Sequence, residues 1–241
     1  MSDDACDPRI ADLVKAGKMR VALFPPQYVR NSATGELCGV LLEIIRALGA
    51  RIGVEVVVIE RPTPSQAVDF LNGGACDIAS LGFDPSRVAQ VGGFSPPLLQ
   101  VDYTYLVPEH SSIRSAVDVD RPGVRIAVVR DHASTLALRR MLRQAEQMEA
   151  ETADAAFDML RAGYVDAWAS VRPALLDYSG RLSGSRVVGD SYGANFPALV
   201  VAKGQAARLA YLREFVEEAK ALGLVQRTIE RAGQAGYQVA R

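Results

Sequence analysis

The sequence predicts an α/β protein, and three observations support this class. Short apolar runs rich in β-branched residues alternate with amphipathic stretches of helical spacing along most of the 241 residues. The chain is 49% hydrophobic and 23% charged, so it can bury a large core as one domain or as two lobes. An aspartate that leads into an apolar strand also occurs twice, at Asp77 and at Asp166.

The first 75 residues alternate helix and strand patterns. Helices are predicted over residues 10–17, 40–52 and 62–74, strands over 19–24 and 53–59, and a turn over 34–39. The first strand ends in the loop Pro25-Pro26-Gln27, with the aromatic residues Phe24 and Tyr28 on either side.

The stretch from Asp77 to Pro97 is the centre of the functional prediction. A strand over 78–81 leads to Gly82, and Asp84-Pro85-Ser86 has the chemistry of a helix N-cap and first turn, which places Arg87 in that turn. A guanidinium beside free backbone N–H groups makes a good carboxylate clamp. The sequence therefore predicts an anion site, with a surface ion pair or a loop cap as the alternative role of Arg87.

This stretch, followed by Phe94-Ser-Pro-Pro and another apolar run, resembles the type II solute-binding proteins of bacterial uptake systems, family 3, in the amino-acid-binding branch. The resemblance covers nearly the whole chain and implies the periplasmic-binding-protein type II fold. In that fold each of two lobes is a mixed sheet flanked by helices, and the chain crosses between them twice. The expected lobe 1 is 1–106 with 191–241, the expected lobe 2 is 107–190, and the hinge is expected near 101–107.

The elements expected after the hinge alternate in the same way. Helices are predicted over 113–122, from 130 to 142, and over 153–163, 173–179, 206–222 and 225–232, and strands over 123–129, 149–152, 164–171, 187–188 and 196–202. One departure from the family pattern lies before Phe94, where Gly92-Gly93 makes the chain one residue longer.

A second strand-to-helix turn, at Asp131-His132-Ala133, would offer backbone N–H groups to the ligand's anion from lobe 2. The family usually has Gly-Ser or Gly-Thr here, and the resemblance implies that His132 faces the ligand, where its charge would follow pH near neutrality. A helix cap or a surface residue is the alternative role for this histidine.

The resemblance implies a ligand site built from both turns and from the first loop, with Phe24 or Tyr28 as an apolar lid. The residues expected in the site are Phe24, Tyr28, Ser80, Gly82, Asp84, Arg87, Asp131, His132, Ala133 and Arg172.

Amino-acid binders of the family commonly end the strand near residue 171 with an aspartate for the ligand's ammonium, whereas this chain has Val171-Arg172. With Arg87, Arg172 and either Arg130 or a protonated His132 set against Asp84 and Asp131, the sequence predicts a net anion as ligand in preference to a zwitterion. Arg172 would instead point to solvent in the alternative interpretation.

Charge and composition limit the other functional classes. The net charge is −1 without a basic stripe, which argues against nucleic acid or an anionic membrane as partner. Apolar segments such as 40–50 are interrupted by Glu43 and Arg46 and are shorter than the roughly 20 residues of a membrane span, so a soluble chain without membrane insertion is expected.

The three cysteines, Cys6, Cys38 and Cys76, have no metal-type spacing and are predicted to be plain thiols. The chain contains two histidines and no catalytic, phosphate-loop or dinucleotide motif, so no enzyme, no metal and no cofactor are expected. Its acidic start lacks a secretory signal, which places the protein in the periplasm if a signal was removed and in the cytoplasm otherwise.

The function that follows is a monomeric solute-binding protein that captures a small carboxylate-bearing ligand, an amino acid or a related organic acid, between two lobes. The resemblance implies delivery to the membrane permease of an ABC transporter. Two alternatives stay open: a dehydratase acting on a cyclic carboxylate, with Glu43 or Asp84 as its acid, and a cytoplasmic ligand sensor of the same fold.

Overall fold

The computed structural model describes residues 7–31, 33–61 and 63–241. Cys6 and the acidic start, together with the predicted helix start at Pro62, lie outside the described residues. The chain divides into two compact units. Unit 1 comprises the residues up to Leu99 with Phe196–Gln234 and Gln238–Arg241, and unit 2 comprises Gln100–Asn195 with Ala235–Tyr237.

The first part of unit 1 contains four helices and six strands among the described residues. Its helices are α1 (Ala11–Ala16), α2 (Val40–Ile52), α3 (Pro64–Asn72) and α4 (Pro85–Val88), and its strands are β1 (Lys18–Leu23), β2 (Val29–Arg30), β3 (Leu37–Cys38), β4 (Glu55–Glu60), β5 (Ile78–Gly82) and β6 (Gly93–Phe94). The long strand β7 (Leu99–Pro108) then carries the chain into unit 2.

Unit 2 continues with a 3₁₀ turn at Ala116–Val119 and alternating elements. These are β8 (Arg125–Val129), α5 (Ala133–Met141), β9 (Glu146–Ala150), α6 (Ala153–Arg161), β10 (Ala167–Val171), α7 (Arg172–Ser179), β11 (Ser185–Val187) and β12 (Gly193–Asn195). The chain returns to unit 1 with β13 (Pro197–Val201), α8 (Ala206–Ala221) and α9 (Leu224–Ala232), and ends with β14 (Tyr237–Val239).

The sheet of unit 1 has the strand order β4-β1-β5-β13-β6. Strand β1 pairs in parallel with β4 and β5, while β13 runs antiparallel to β5 and β6, so the sheet is mixed. All five residues of β5 and of β13 are buried, as expected for strands covered on both faces. The carboxyl end of β5 is thereby held rigidly at Gly82.

Gly92 and Gly93 allow the chain after α4 to pass close to β13. A Cβ at Gly92 would lie 2.1 Å from the carbonyl oxygen of Ala202, and Gly93 has φ +150. Only glycine permits this close approach and this backbone conformation together. The Gly-Gly pair therefore brings the chain after α4 against β13, where the Gly92 N–H donates to the Val201 carbonyl at 2.7 Å.

The sheet of unit 2 has the order β11-β7-β10-β8-β9, and β12 and β14 also pair with β7. Strand β10 is parallel to β8 and antiparallel to β7, so this sheet is mixed as well. Trp168, the one tryptophan of the sequence, is fully buried on β10 and packs against Phe157 and Tyr178.

The unit boundaries differ from the expected lobe limits. The first crossing falls after Leu99 and the second after Asn195, whereas the sequence analysis placed them at 106 and 191. The reason is pairing: β7 is bonded to β10 and β12 from its first residues in unit 2 onward, with Val101 opposite Asn195 and Tyr103 opposite Val171.

Several local expectations are also corrected. Residues 113–122 form only the 3₁₀ turn, and α4 has four residues. Strand β9 starts at Glu146 instead of 149, because the carboxylate of Asp120 accepts the backbone N–H groups of Arg143, Gln144 and Ala145 and so fixes the chain between α5 and β9. The β2–β3 hairpin and β14 were not predicted.

Two thiols lie among the described residues, and both are free. Cys38 is half-buried in β3, and Cys76 is buried before β5. Burial raises the pKa of the Cys76 thiol to about 11, so this side chain stays protonated at neutral pH and behaves as a small apolar residue.

Candidate functional site

The candidate site of unit 1 is the segment of residues 82–87, which we call the anion turn. Asp84 caps α4: its Oδ1 accepts the backbone N–H of Ser86 at 3.0 Å and the Ser86 hydroxyl at 2.6 Å. The guanidinium of Arg87 is held back over the same turn, because Nη1 donates to the Gly82 carbonyl at 3.0 Å. Arg87 is only 5% exposed, so its charge is presented from a fixed and largely desolvated position.

Helix α4 contributes only a small dipole to this turn, because it is a single turn of four residues, Pro85–Val88. Arg87 is its third residue and so lies in the first turn, as predicted. The positive charge of the site therefore resides on the guanidinium.

The backbone N–H and C=O groups of Ser80 and Gly82, at the end of β5, point toward the β1 side of the sheet. Across β13, the carbonyls of Pro197 and Leu199 accept hydrogen bonds from the β6 side. Gly82 and Ser80 of β5 lie opposite these two residues. They therefore occupy non-hydrogen-bonded positions of the antiparallel pair, and their N–H and C=O groups point away from β13. Because β1 ends at Leu23, β5 extends beyond its neighbour and leaves these polar groups at the strand end.

Gln27 binds one of these groups, although no role was predicted for it. Its Nε2 donates to the Ser80 carbonyl at 2.9 Å, and its Oε1 accepts the Phe24 N–H at 3.3 Å. Its own N–H donates to the Phe24 carbonyl at 2.8 Å. The first loop is therefore fastened to β5 beside the anion turn.

Phe24 and Tyr28, of which one or the other was expected to form an apolar lid, have different surroundings. Phe24 is 6% exposed and packs in the core cluster of unit 1 with Ala79 and Leu81, which argues against a lid role. Tyr28 is half-buried beside Glu60, and burial, followed by the negative charge of Glu60, raises the pKa of its phenol to about 12. A ligand contact of Tyr28 stays a prediction.

Ser80 has two different environments. Its carbonyl is bound by Gln27, while its hydroxyl is fully buried and has no hydrogen-bond partner among the described residues. Because this hydroxyl is buried, a ligand contact of Ser80 stays a prediction and would involve its backbone.

The anion turn contains an exposed aromatic residue for which no role was predicted. Phe83 lies between Gly82 and Asp84, is 53% exposed, and packs edge-on against Phe94 with ring centroids 5.4 Å apart. Its ring offers apolar surface in the turn, and its only sequence marker was its place there.

In unit 2 the second predicted turn is confirmed as the junction of β8 and α5. Asp131 has φ +60, and among the described residues it is the one non-glycine residue with a positive φ. This conformation explains why glycine suits the position, and aspartate is one of the few other residues that tolerates it. His132 follows as the N-cap residue of α5 and is 8% exposed, with Ala133 as the first helical residue.

The N-terminus of α5 is fixed by side chains from the same unit. The Thr135 hydroxyl donates to the Val129 carbonyl at 2.6 Å. Tyr192 packs between Tyr103 and Tyr105 at centroid distances of 5.6 and 4.9 Å, and burial raises the pKa of its phenol well above the usual range. The first backbone N–H groups of α5 consequently occupy a rigid position suited to an anion.

Arg172 is committed to the structure of unit 2. Its Nη1 donates to the Val188 carbonyl at 3.0 Å, its Nη2 donates to the carbonyls of Gly189 and Asp190 at 3.0 Å each, and its Nε lies 3.8 Å from Oδ2 of Asp102. These contacts account for both terminal nitrogens. Arg172 therefore ties β10 and α7 to the returning chain, which argues against the ligand role predicted for it.

The predicted surplus of cations is reduced further at Arg130. This side chain is exposed and pairs with Glu149 at 3.0 Å and with Glu151 at 2.6 Å. Of the three arginines that led to the prediction of a net anion, only Arg87 is placed at an anion turn. The preference for a net anion therefore needs a different physical basis.

Among the described residues, no group of three His, Cys, Asp or Glu side chains is arranged to hold a metal ion. No helix of the part described is long and apolar enough to cross a membrane.

Two mixed α/β units, between which the chain passes after Leu99 and again after Asn195, and a guanidinium fixed at a strand end define a protein of the periplasmic-binding-protein type II class. The chain belongs to the bacterial extracellular solute-binding proteins, family 3, whose family model matches residues 19–234. Members of this family are typically periplasmic or extracellular.

Solved structures with the same fold include amino-acid-binding proteins. The solute receptor for L-cysteine of Neisseria gonorrhoeae has a TM-score of 0.81 and 20% identity, with 92% of each chain covered. An amino acid ABC transporter substrate-binding protein from Streptococcus pneumoniae, bound to L-arginine, has a TM-score of 0.79 and 18% identity, covering 96% of this chain and 99% of that one. These likenesses confirm the predicted fold.

A third similar structure is the ancestral amino acid-binding protein AncCDT-1, described as a precursor of cyclohexadienyl dehydratase. Its TM-score is 0.79 at 23% identity, with 92% of this chain and 97% of that chain covered. No curated protein sequence matches the chain significantly.

Proposed function

We propose that this protein captures a small carboxylate-bearing ligand, an amino acid or a related organic acid, and delivers it to the permease of an ABC transporter. The observation that carries the proposal is the fixed guanidinium of Arg87, 5% exposed and bonded to the Gly82 carbonyl at the end of β5. A desolvated guanidinium forms strong, directional pairs with a carboxylate. The protein acts in the periplasm as a monomer in this proposal.

Unit 1 supplies the carboxylate contact in this proposal. Within unit 2, the N-terminus of α5 at His132 and Ala133 is a separate candidate for contact with an anion. A ligand that binds one conformation of the protein in preference to another shifts the population toward it, which a permease can recognise.

The acids named for a dehydratase have other roles in the structure. Glu43 is exposed on α2 and pairs with Arg46 at 2.6 Å. Asp84 is 2% exposed and caps α4 through Ser86. Because Glu43 is held in a surface ion pair and Asp84 in a helix cap, the enzymatic alternative gains no support from the geometry.

Thermal unfolding with a panel of L-amino acids and organic acids tests the proposal, because a ligand that binds the folded state raises Tm. At a concentration near 100 times Kd, the stabilisation amounts to about 2.7 kcal/mol. Arg87→Lys keeps the charge but loses the planar fork, so we expect the ligand-induced rise in Tm to shrink strongly or vanish. Each variant is compared with and without ligand, since Arg87 is buried and its loss also destabilises the free protein.

Arg213→Lys is the matched control. Arg213 also donates a guanidinium to a backbone carbonyl of unit 1, that of Phe94 at 3.3 Å, but it is exposed on α8. The rise in Tm should be the same in this variant as in the unmodified protein. An undiminished rise in Arg87→Lys would contradict the proposal.

A further inference from the structure

We infer that Gln27 determines ligand selectivity at the anion turn by excluding ligands that carry an ammonium group next to the carboxylate. This inference rests on the proposed function and concerns the same site. Gln27 donates its Nε2 to the Ser80 carbonyl at 2.9 Å and is held in that position by the Phe24 N–H at its Oε1.

The ammonium of an α-amino acid lies one carbon away from the carboxylate. A ligand held by Arg87 through its carboxylate therefore needs an acceptor for the ammonium close to the anion turn. A desolvated ammonium without a partner is costly, and this cost distinguishes an amino acid from the analogue that lacks the charge.

Three acceptors at the carboxyl end of β5 are the carbonyls of Ser80 and Gly82 and the carboxylate of Asp84. Each of them already accepts a donor. The Gly82 carbonyl accepts Arg87, and a second cation there would be repelled by the guanidinium. The carboxylate of Asp84 is 2% exposed and accepts both donors of Ser86. The third acceptor is the Ser80 carbonyl, and Gln27 binds it.

The position of Gln27 follows from the strand lengths. Strand β5 extends beyond the end of β1, so the carbonyl of Ser80 points toward the β1 side near the strand end. The loop after β1 runs over this gap and places Gln27 there, with its backbone N–H bonded to the Phe24 carbonyl at 2.8 Å. A residue without a side-chain donor at position 27 would leave the acceptor to the ligand.

Calorimetric titration with matched pairs tests this inference. The probes are L-leucine and L-2-hydroxy-4-methylpentanoate, L-glutamate and L-2-hydroxyglutarate, and L-phenylalanine and L-3-phenyllactate. In the unmodified protein we expect the hydroxy acid of the bound pair to bind at least tenfold more tightly than the amino acid. Gln27→Ala should reduce the ratio of hydroxy-acid affinity to amino-acid affinity by about tenfold, since it frees the Ser80 carbonyl.

Gln27→Glu extends the series, because a carboxylate cannot donate to the Ser80 carbonyl and supplies a negative charge for the ammonium. The ratio of hydroxy-acid affinity to amino-acid affinity should therefore fall further in Gln27→Glu than in Gln27→Ala. Gln90→Ala is the matched control: Gln90 also donates its side-chain amide to a backbone carbonyl, that of Ser86 at 3.1 Å, but it is exposed at the far end of α4. Its ratio should equal that of the unmodified protein.

Tighter binding of the amino acid by the unmodified protein would overturn the inference, and so would an unchanged ratio in both Gln27 variants. Either result, with binding still dependent on Arg87, leaves the proposed function intact. Absence of heat and of thermal stabilisation with every probe would overturn the proposed function and this inference with it.

Discussion

Asp77 and Arg20 form a three-point link between the start of β5 and the start of β1. Oδ2 of Asp77 accepts the backbone N–H of Arg20 at 2.7 Å and its Nε at 3.1 Å, and Oδ1 accepts Nη2 at 2.7 Å. Unit 2 contains the same arrangement, in which Oδ2 of Asp166 accepts the Arg125 N–H at 2.8 Å and lies 3.7 Å from its Nε. The repeated aspartate of the sequence thus has one structural role in both units.

The Asp77 link predicts a specific loss of stability in acid. Burial acts to raise the pKa of this carboxyl, but the hydrogen bonds from Arg20 outweigh it, so the pKa lies below its usual value. The contribution to stability is therefore present above the unfolded pKa of about 4 and is lost as pH falls through the lower folded value. Asp77→Asn should cost about 1–2 kcal/mol at pH 7 and progressively less below pH 4.

Urea unfolding of Asp77→Asn and of the unmodified protein, at pH 7 and at pH 3, measures the cost of the substitution at each pH. Asp69→Asn, an exposed position on α3, should change stability by less than about 0.5 kcal/mol at either pH. A cost of Asp77→Asn that stays constant with pH would show that the carboxylate charge is irrelevant.

The positive φ of Asp131 predicts an inverted ranking of glycine and alanine. At φ +60 a Cβ is strained, so Asp131→Ala should be less stable than Asp131→Gly by about 1 kcal/mol. At Asp158, inside α6, glycine should instead be less stable than alanine by about 1 kcal/mol. Denaturant titration of the four variants checks the ranking, and the same order at both positions would refute the left-handed conformation.

The contacts of Arg172 predict a structural phenotype. Arg172→Met keeps much of the aliphatic stem but removes donors from three carbonyls, so unfolding should become easier by about 2–3 kcal/mol. Ligand affinity should change less than about threefold, since none of these contacts involves the anion turn. Arg161→Met, an exposed position on α6, should cost less than about 0.5 kcal/mol. A large loss of affinity with unchanged stability would restore the ligand role that the sequence suggested.

The close approach at Gly92 predicts a strong effect of one methyl group. In Gly92→Ala the new Cβ would meet the Ala202 carbonyl, so the loop or β13 must shift, at a cost of about 2–3 kcal/mol. Gly189→Ala is the control, because no atom of the described residues lies within 4 Å of the position that its Cβ would take, and it should change Tm by no more than about 2 °C. Equal Tm values for the two variants would contradict this explanation.

The alternation of apolar runs was sufficient to predict most strands and helices, because burial of both faces leaves a clear local pattern in β5 and β13. Strand β9 was misplaced since its residues are polar, as suits a strand at the sheet edge, and its start is set by the distant carboxylate of Asp120. Edge strands carry too little apolar periodicity to be located from sequence alone.

At the candidate site the sequence located the two turns but not their partners. The Gln27–Ser80 hydrogen bond joins residues 53 positions apart, and a glutamine between proline and tyrosine has no local pattern that marks it. Aromatic residues attracted the prediction instead, although Phe24 belongs to the core. The contacts of Arg172 could not be foreseen for the same reason, since the carbonyls that bind it lie 16 to 18 residues away.

The place of β13 in the unit 1 sheet has a consequence for synthesis on the ribosome. This strand lies between β5 and β6, yet the whole continuous part of unit 2 is made between β6 and β13. Until residues 197–201 emerge, the long edge of β5 has no partner on that side, and unpaired apolar edges of nascent chains are prone to aggregate. Unit 2 can therefore complete most of its sheet before the sheet of unit 1 is complete. Chaperone protection during translation matters most for the half of the protein that is made first.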